Sequence, residues 1–121
     1  MNDMTVLQQE PKLSDWQAIC ALSDIVPDTG VCALVKGRHV ALFRVGDASP
    51  RVYAIDNIDP NAGASVLSRG LVGSIGERVV VASPLYKQHF DLASGECIEA
   101  PEHSVASWPA RVFADMVWVA L

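Results

Sequence analysis

Apolar residues in this chain come in short runs, and a turn signal interrupts each run before a helical repeat can establish itself. No window of about a dozen residues carries the clean 3.6-residue apolar period that a packed amphipathic helix needs. The turn signals recur instead at the spacing of strands, which predicts an all-β sandwich or barrel. WQAICAL, residues 16–22, alternates with Trp16, Ala18 and Cys20 on one face, and Pro27 and Gly30 then break the run. VCALVKGRHVALFRV, residues 31–45, reads as a hairpin, because Gly37 can enter positive φ between two β-prone segments. RVYAI (51–55) is a further strand, and LVGSIGERVVVAS (71–83) holds two strands around Gly76. HFDLASGECIE (89–99) turns at Ser94-Gly95, and WPARVFADMVWVAL (108–121) turns at Ala114-Asp115. Trp16, Trp108 and Trp118 lie inside strand-like runs and are expected as core anchors.

A chain of 121 residues, half of them apolar, can build one core without a metal or disulfide. One domain is expected over residues 14–121, preceded by a polar, aperiodic, flexible arm over residues 1–13. The formal charge of -5 leaves no basic stripe for phosphates, so neither nucleic acid nor an anionic membrane is expected as a partner. Residues 1–10 have neither the basic start nor the apolar run of a signal peptide, and no stretch is long enough to span a bilayer, so a cytoplasmic location is expected. Cys20, Cys32 and Cys97 are odd in number and widely spaced, and are read as buried thiols rather than a disulfide framework.

Two loops stand apart because each follows a strand and contains a proline: NIDPNAGASVLSRG (57–70) and VVVASPLYKQHFDLASGE (79–96). Read locally, Asp59 to Gly63 is a turn that holds itself. Pro60 presets φ, the Asp59 carboxylate can accept backbone N–H bonds, and Gly63 permits a left-handed step. Metal ligation is not expected. His89 reads as a solvent-facing strand histidine, His39 and His103 as ordinary surface residues, and Cys97 stands alone. Asp56, Asp59 and Asn61 lack the spacing and the closing glutamate of an EF-hand loop. There is also no glycine-rich dinucleotide fingerprint and no nucleophile with a base in context, so no catalytic or cofactor-binding residue is assigned.

The loop pair resembles the two cluster-binding loops of Rieske-type [2Fe–2S] proteins. In that family each loop supplies one cysteine and one histidine, the cysteines holding one iron and the histidines the other. Asn57, Pro60, Gly63, Leu67 and Gly70 fit the first loop, and Pro84, Phe90, Asp91, Leu92, Gly95 and Glu96 fit the second. At the ligand positions the chain departs from the family: Asp59 and Asn61 replace the first pair, Ser83 and Tyr86 the second. These are poor iron ligands, so a degenerate site without a cluster is expected. Such a loop must recover order from local bonds and packing, with the Tyr86 ring filling the space of the missing imidazole.

From WQAICALSDI to RVFADMVWVAL the chain also looks like the small subunits of the cytoplasmic NAD(P)H-dependent assimilatory nitrite reductases, Rieske-like chains whose ligand positions are replaced. The resemblance implies a share in reducing nitrite to ammonia, with a large subunit carrying FAD, an iron–sulfur cluster and sirohaem. This chain would be an accessory subunit, docking to the large one and stabilising it. The loop tip, with Leu67, Arg69, Leu85, Tyr86 and Lys87, is the expected contact. Two other readings stay open at this point: a stand-alone interaction or regulatory module for another oxidoreductase, and a [2Fe–2S] carrier with unusual ligands.

Overall fold

The computed structural model describes residues 10–121. Most of the expected arm, residues 1–9, lies outside the described residues. In chain order the strands are β1 (Trp16–Ala21), β2 (Thr29–Val35), β3 (Arg38–Val45), β4 (Arg51–Asp56), β5 (Ile58–Asp59) and β6 (Ala64–Ser65). They continue as β7 (Leu71–Ile75), β8 (Arg78–Ala82), β9 (His89–Asp91), β10 (Ser107–Trp108), β11 (Ala110–Phe113) and β12 (Met116–Ala120). Among the described residues the helical pieces are single 3-10 turns, as expected for a chain without a helical period.

Among the described residues all pairings are antiparallel, in sheets ordered β1-β12-β11, β10-β4-β3-β2, β5-β6 and β7-β8-β9. The β2–β3 hairpin closes through Lys36 and Gly37 at φ 49° and 79°, and the β11–β12 hairpin through Ala114 and Asp115 at φ 53° and 63°. Two consecutive positive-φ residues match the right-handed twist of the flanking strands. The Ser94-Gly95 turn forms, with Gly95 at φ 82°. Beyond it the returning chain forms one isolated bridge, Cys97 to Phe90, in place of a full strand.

Strand β3 explains the layering. Val40, Ala41, Leu42 and Phe43 are all fully buried, so this strand has no solvent side. Val40 and Leu42 join Ile25, Val35, Val117 and Val119 in one core, beneath the β1-β12-β11 sheet. Ala41 and Phe43 join Ile55, Leu67, Val81, Phe90, Leu92 and Cys97 in a second core, beneath the two loops. The loops therefore rest on packed side chains.

Three expectations are corrected. A β-bulge between Ala18 and Cys20 breaks the alternation of β1, so Cys20 pairs with Val117 and packs against the first core. Only Trp108 packs against a core. Val117 and Val119 take the inward positions of β12, and the two-residue period turns Trp118, with Trp16 beside it, to the outer face. Of the three thiols, which are free, Cys97 is buried, Cys20 is partly buried and Cys32 is exposed, because β2 is an edge strand.

Candidate functional site

Asn57 organises the first loop. Its side chain is buried, donates to Ser65 Oγ at 2.7 Å and accepts from Ser68 N–H at 2.6 Å. Its backbone N–H donates to His39 O, and its carbonyl accepts from Val66 and Leu67 N–H. One residue thus satisfies a strand end, the β5–β6 ribbon and the 3-10 turn Leu67–Arg69 together. His39 joins this network through a hydrogen bond between Nδ1 and Ser65 Oγ at 2.8 Å, while His103 is exposed.

The Asp59 turn forms as read from the sequence. Asp59 Oδ1 accepts Asn61 N–H at 2.8 Å, and the Asp59 carbonyl accepts Gly63 N–H at 2.8 Å. The larger finding lies between the loops. Asp59 and Ser83, which the sequence resemblance sets at the two cysteine positions of the Rieske frame, are both buried, and the Ser83 hydroxyl donates to Asp59 Oδ2. Asn61, at the first histidine position, donates from Nδ2 to Gln88 Oε1 in the other loop. Ser83 also holds its own loop: its N–H donates to Gln88 O at 2.9 Å, its carbonyl accepts Lys87 N–H at 3.0 Å, and its Oγ accepts Leu85 N–H at 3.3 Å.

Gln88 is the site residue that sequence reasoning missed. Its only signal was an amide of sufficient length two places after Tyr86. Tyr86 itself is corrected, because its side chain is 60% exposed and does not fill the gap between the loops.

The second loop is braced from its far side. Arg78 Nε donates to Asp91 Oδ2 at 2.7 Å and its terminal nitrogen to Glu96 Oε1 at 2.6 Å. Asp91 Oδ1 accepts Ala93 and Ser94 N–H. Burial pushes the Asp91 carboxyl up, but the guanidinium and these N–H groups outweigh burial and hold it below the ordinary range. The same carboxylates hold the Arg78 guanidinium above its ordinary value. His89 is half-buried rather than solvent-facing. Its Nδ1 meets Glu99 Oε2 at 2.5 Å and its N–H donates to Glu99 Oε1 at 2.8 Å. For Glu99 too, burial acts upward and is outweighed by the bonds from His89, so its carboxyl lies below the usual range.

Two glycines fit this frame for steric reasons. A Cβ on Gly95, at φ 82°, would lie 2.1 Å from Val105 O, and one on Gly70 would lie 2.2 Å from Ala82 O.

A [2Fe–2S] cluster in this frame needs two thiolates and two imidazoles. The positions offer a carboxylate, an amide, a hydroxyl and a phenol, and the two at the thiolate positions are consumed by each other. The residues do not fit the cluster. Among the described residues no group of three or more His, Cys, Asp and Glu side chains is arranged to hold a metal ion, and no helix is long and apolar enough to cross a membrane.

Of the expected tip residues, Arg69, Leu85, Tyr86 and Lys87 are exposed. Leu67 is fully buried in the second core and is corrected from contact residue to core residue. The 3-10 turn that carries it points its apolar side chain against β3.

Known proteins share this frame. The profile of the Rieske-like [2Fe-2S] domain family matches residues 15–120. The chain is 52% identical over 100 residues to the nitrite reductase (NADH) small subunit of Salmonella typhimurium, covering 83% of this chain and 92% of that protein. It is 46% identical over 114 residues to the nitrite reductase [NAD(P)H] large subunit of Klebsiella oxytoca, covering 93% of this chain but only 12% of that protein. Among solved structures, the nitrite reductase [NAD(P)H] small subunit from Erwinia carotovora superposes with a TM-score of 0.77 at 47% identity, over 90% of this chain and 83% of that one.

Proposed function

Because the chain belongs to the Rieske-like [2Fe-2S] domain family, in the group of the nitrite reductase (NADH) small subunits, we propose that it is the non-redox small subunit of a cytoplasmic NAD(P)H-dependent nitrite reductase. The observation that carries the non-redox part is the Asp59–Ser83 hydrogen bond: where iron would join the loops, the two side chains at the cysteine positions join each other. Electrons have no carrier at this point of the chain, so its contribution is shape and surface. In this reading FAD, sirohaem and an iron–sulfur cluster reside in the large subunit, and this chain docks to it and stabilises it as an accessory subunit without a catalytic site of its own.

The Klebsiella oxytoca protein supports the choice of partner. There a stretch similar to nearly all of this chain is part of the large-subunit polypeptide. At the loop tip, Leu85 and Tyr86 offer half-exposed apolar side chains, 50% and 60% exposed, flanked by Arg69 and Lys87. Their exposure supports reading the tip, now without Leu67, as a contact for the partner.

The test is to express the chain with its large subunit, purify by a tag on this chain, and assay iron and acid-labile sulfide in each polypeptide. The expected result is co-purification with a sirohaem-containing polypeptide and no stoichiometric iron or sulfide in this one. Anaerobically prepared chain with stoichiometric iron and sulfide overturns the non-redox reading. Capture of a different oxidoreductase overturns the partner. Replacing Leu85 and Tyr86 together with full retention of the complex removes the tip as a contact.

A further inference from the structure

The outer face of the β1-β12-β11 sheet carries side chains that neither core uses. Its register sets Ala18, Trp118 and Arg111 abreast, with Trp16 beside Ala120 and Phe113 beside Met116. Leu13, just before β1, and Phe113 are 92% and 66% exposed. Together with Trp16, Trp118 and Arg111 they line a groove of about 330 Å³. The Arg111 guanidinium sits over the Trp16 ring, 4.0 Å from its centroid, and forms no ion pair among the described residues. Trp118 is held in place by Nε1–H donating to Phe113 O at 3.1 Å.

A sheet face that only meets water carries polar residues at alternate positions. This one carries two tryptophans, a phenylalanine and an arginine, the side chains that concentrate binding energy at the centres of protein interfaces. Stacking on Trp16 already orients the guanidinium, so less side-chain freedom is lost when a carboxylate meets it.

The chain ends indicate the occupant. Trp16 pairs with Ala120, and Leu121 N–H donates to Asp15 O at 3.3 Å, so both ends of the domain lie at one end of this sheet. In a polypeptide of which such a domain is 12%, the remainder is joined through one or both of these ends, and either way departs beside this face. A joint there raises the effective concentration of the large-subunit body against the groove. Within a chain of net charge -5, Arg111 is a fixed local cation, so the complementary group is a carboxylate.

We propose that this face docks the nitrite reductase large subunit through an apolar side chain in the groove of Leu13, Phe113 and Trp118 and a carboxylate paired with Arg111. The inference rests on the choice of partner made above, and it is separate from the loop tip, which belongs to other sheets.

The experiment measures binding of the full chain to purified large subunit, for wild type and for Arg111→Glu and Phe113→Ser. Both residues are exposed, and thermal melts check that the variants fold. Each variant is expected to weaken binding by about tenfold or more, and Arg111→Glu to flatten its salt dependence. Wild-type binding with both variants unchanged overturns the face and leaves the partner standing. No binding by wild type overturns the partner and this inference with it. A wild-type dimer that Phe113→Ser makes monomeric, with capture of the large subunit unchanged, overturns the inference in favour of a second copy.

Discussion

The hydroxyl of Ser83 in one loop donates to the carboxylate of Asp59 in another, 24 residues away in sequence, and both side chains are shielded from water. A metal cluster ties such loops together with coordinate bonds. A hydrogen bond ties them with far less energy, but leaving it unmade in a dry setting costs more than making it gains. Ser83→Ala is therefore expected to destabilise the fold by about 1–3 kcal/mol in chemical denaturation. Its effect should be non-additive with Asp59→Ala by about 0.5–3 kcal/mol. Additive losses would mean that the two side chains act independently and that the loops are held elsewhere.

Tyr86 and Leu67 should part company on truncation. Tyr86→Ala is predicted to change stability by less than about 0.5 kcal/mol, since its side chain is largely in solvent. Leu67→Ala, emptying a site in the second core, should cost about 2–5 kcal/mol. Equal melting temperatures for the two variants would contradict the placement of these residues.

Gly95 and Gly63 provide a second contrast. Both have positive φ, 82° and 67°, but a Cβ on Gly63 meets open space whereas one on Gly95 runs into Val105 O. Gly63→Ala should cost about 1 kcal/mol, the backbone penalty alone. Gly95→Ala should cost clearly more, because the backbone at Val105 has to shift. Equal costs from urea melts would remove the steric argument.

Acid should weaken the brace around Arg78. The folded Asp91 carboxyl lies below its ordinary value of 3.8, so between the two values the unfolded chain binds more protons than the folded one. The stabilisation is present above the unfolded value and is lost as pH falls through the folded one. Glu99 adds a contribution of the same sign from its ordinary value of 4.5 downward. Stability measured from about pH 5 to 2 should thus fall less steeply for Asp91→Asn than for wild type. Identical slopes would exclude Asp91 as a source of acid sensitivity.

The thiols should react in the order of their exposure. Cys32 is exposed and should be alkylated first by iodoacetamide, while Cys97 should be protected until the chain unfolds. Cys20 should be slow, because partial burial, with the Asp24 carboxylate adding to it, pushes its thiol above the ordinary range. Peptide mass spectrometry over time checks the order, and early labelling of Cys97 would contradict the second core.

Local chemistry made the hairpins legible. Lys36-Gly37 and Ala114-Asp115 bend where turn residues must, since two residues decide a two-residue loop. The self-holding turn at Asp59 was legible for the same reason, its partners being within four residues. Faces were less legible. The bulge in β1 moved Cys20 inward, and the layering of sheets turned Trp16 and Trp118 outward, outcomes that alternation along one strand does not determine.

By itself, the amino-acid sequence determined that this chain is built of short antiparallel strands, and that neither cysteine nor histidine stands at Asp59, Asn61, Ser83 or Tyr86, where its resemblance to the Rieske frame sets the iron ligands. Residue identity and the two-residue period are local properties that need no partner to be read. Only the tertiary structure decided that Asp59 finds Ser83, that Asn61 finds Gln88, that Leu67 goes inside and that Tyr86 stays out. Those outcomes depend on which distant groups compete for the same buried space and for the same hydrogen-bond partners, and that competition exists only once the sheets have packed.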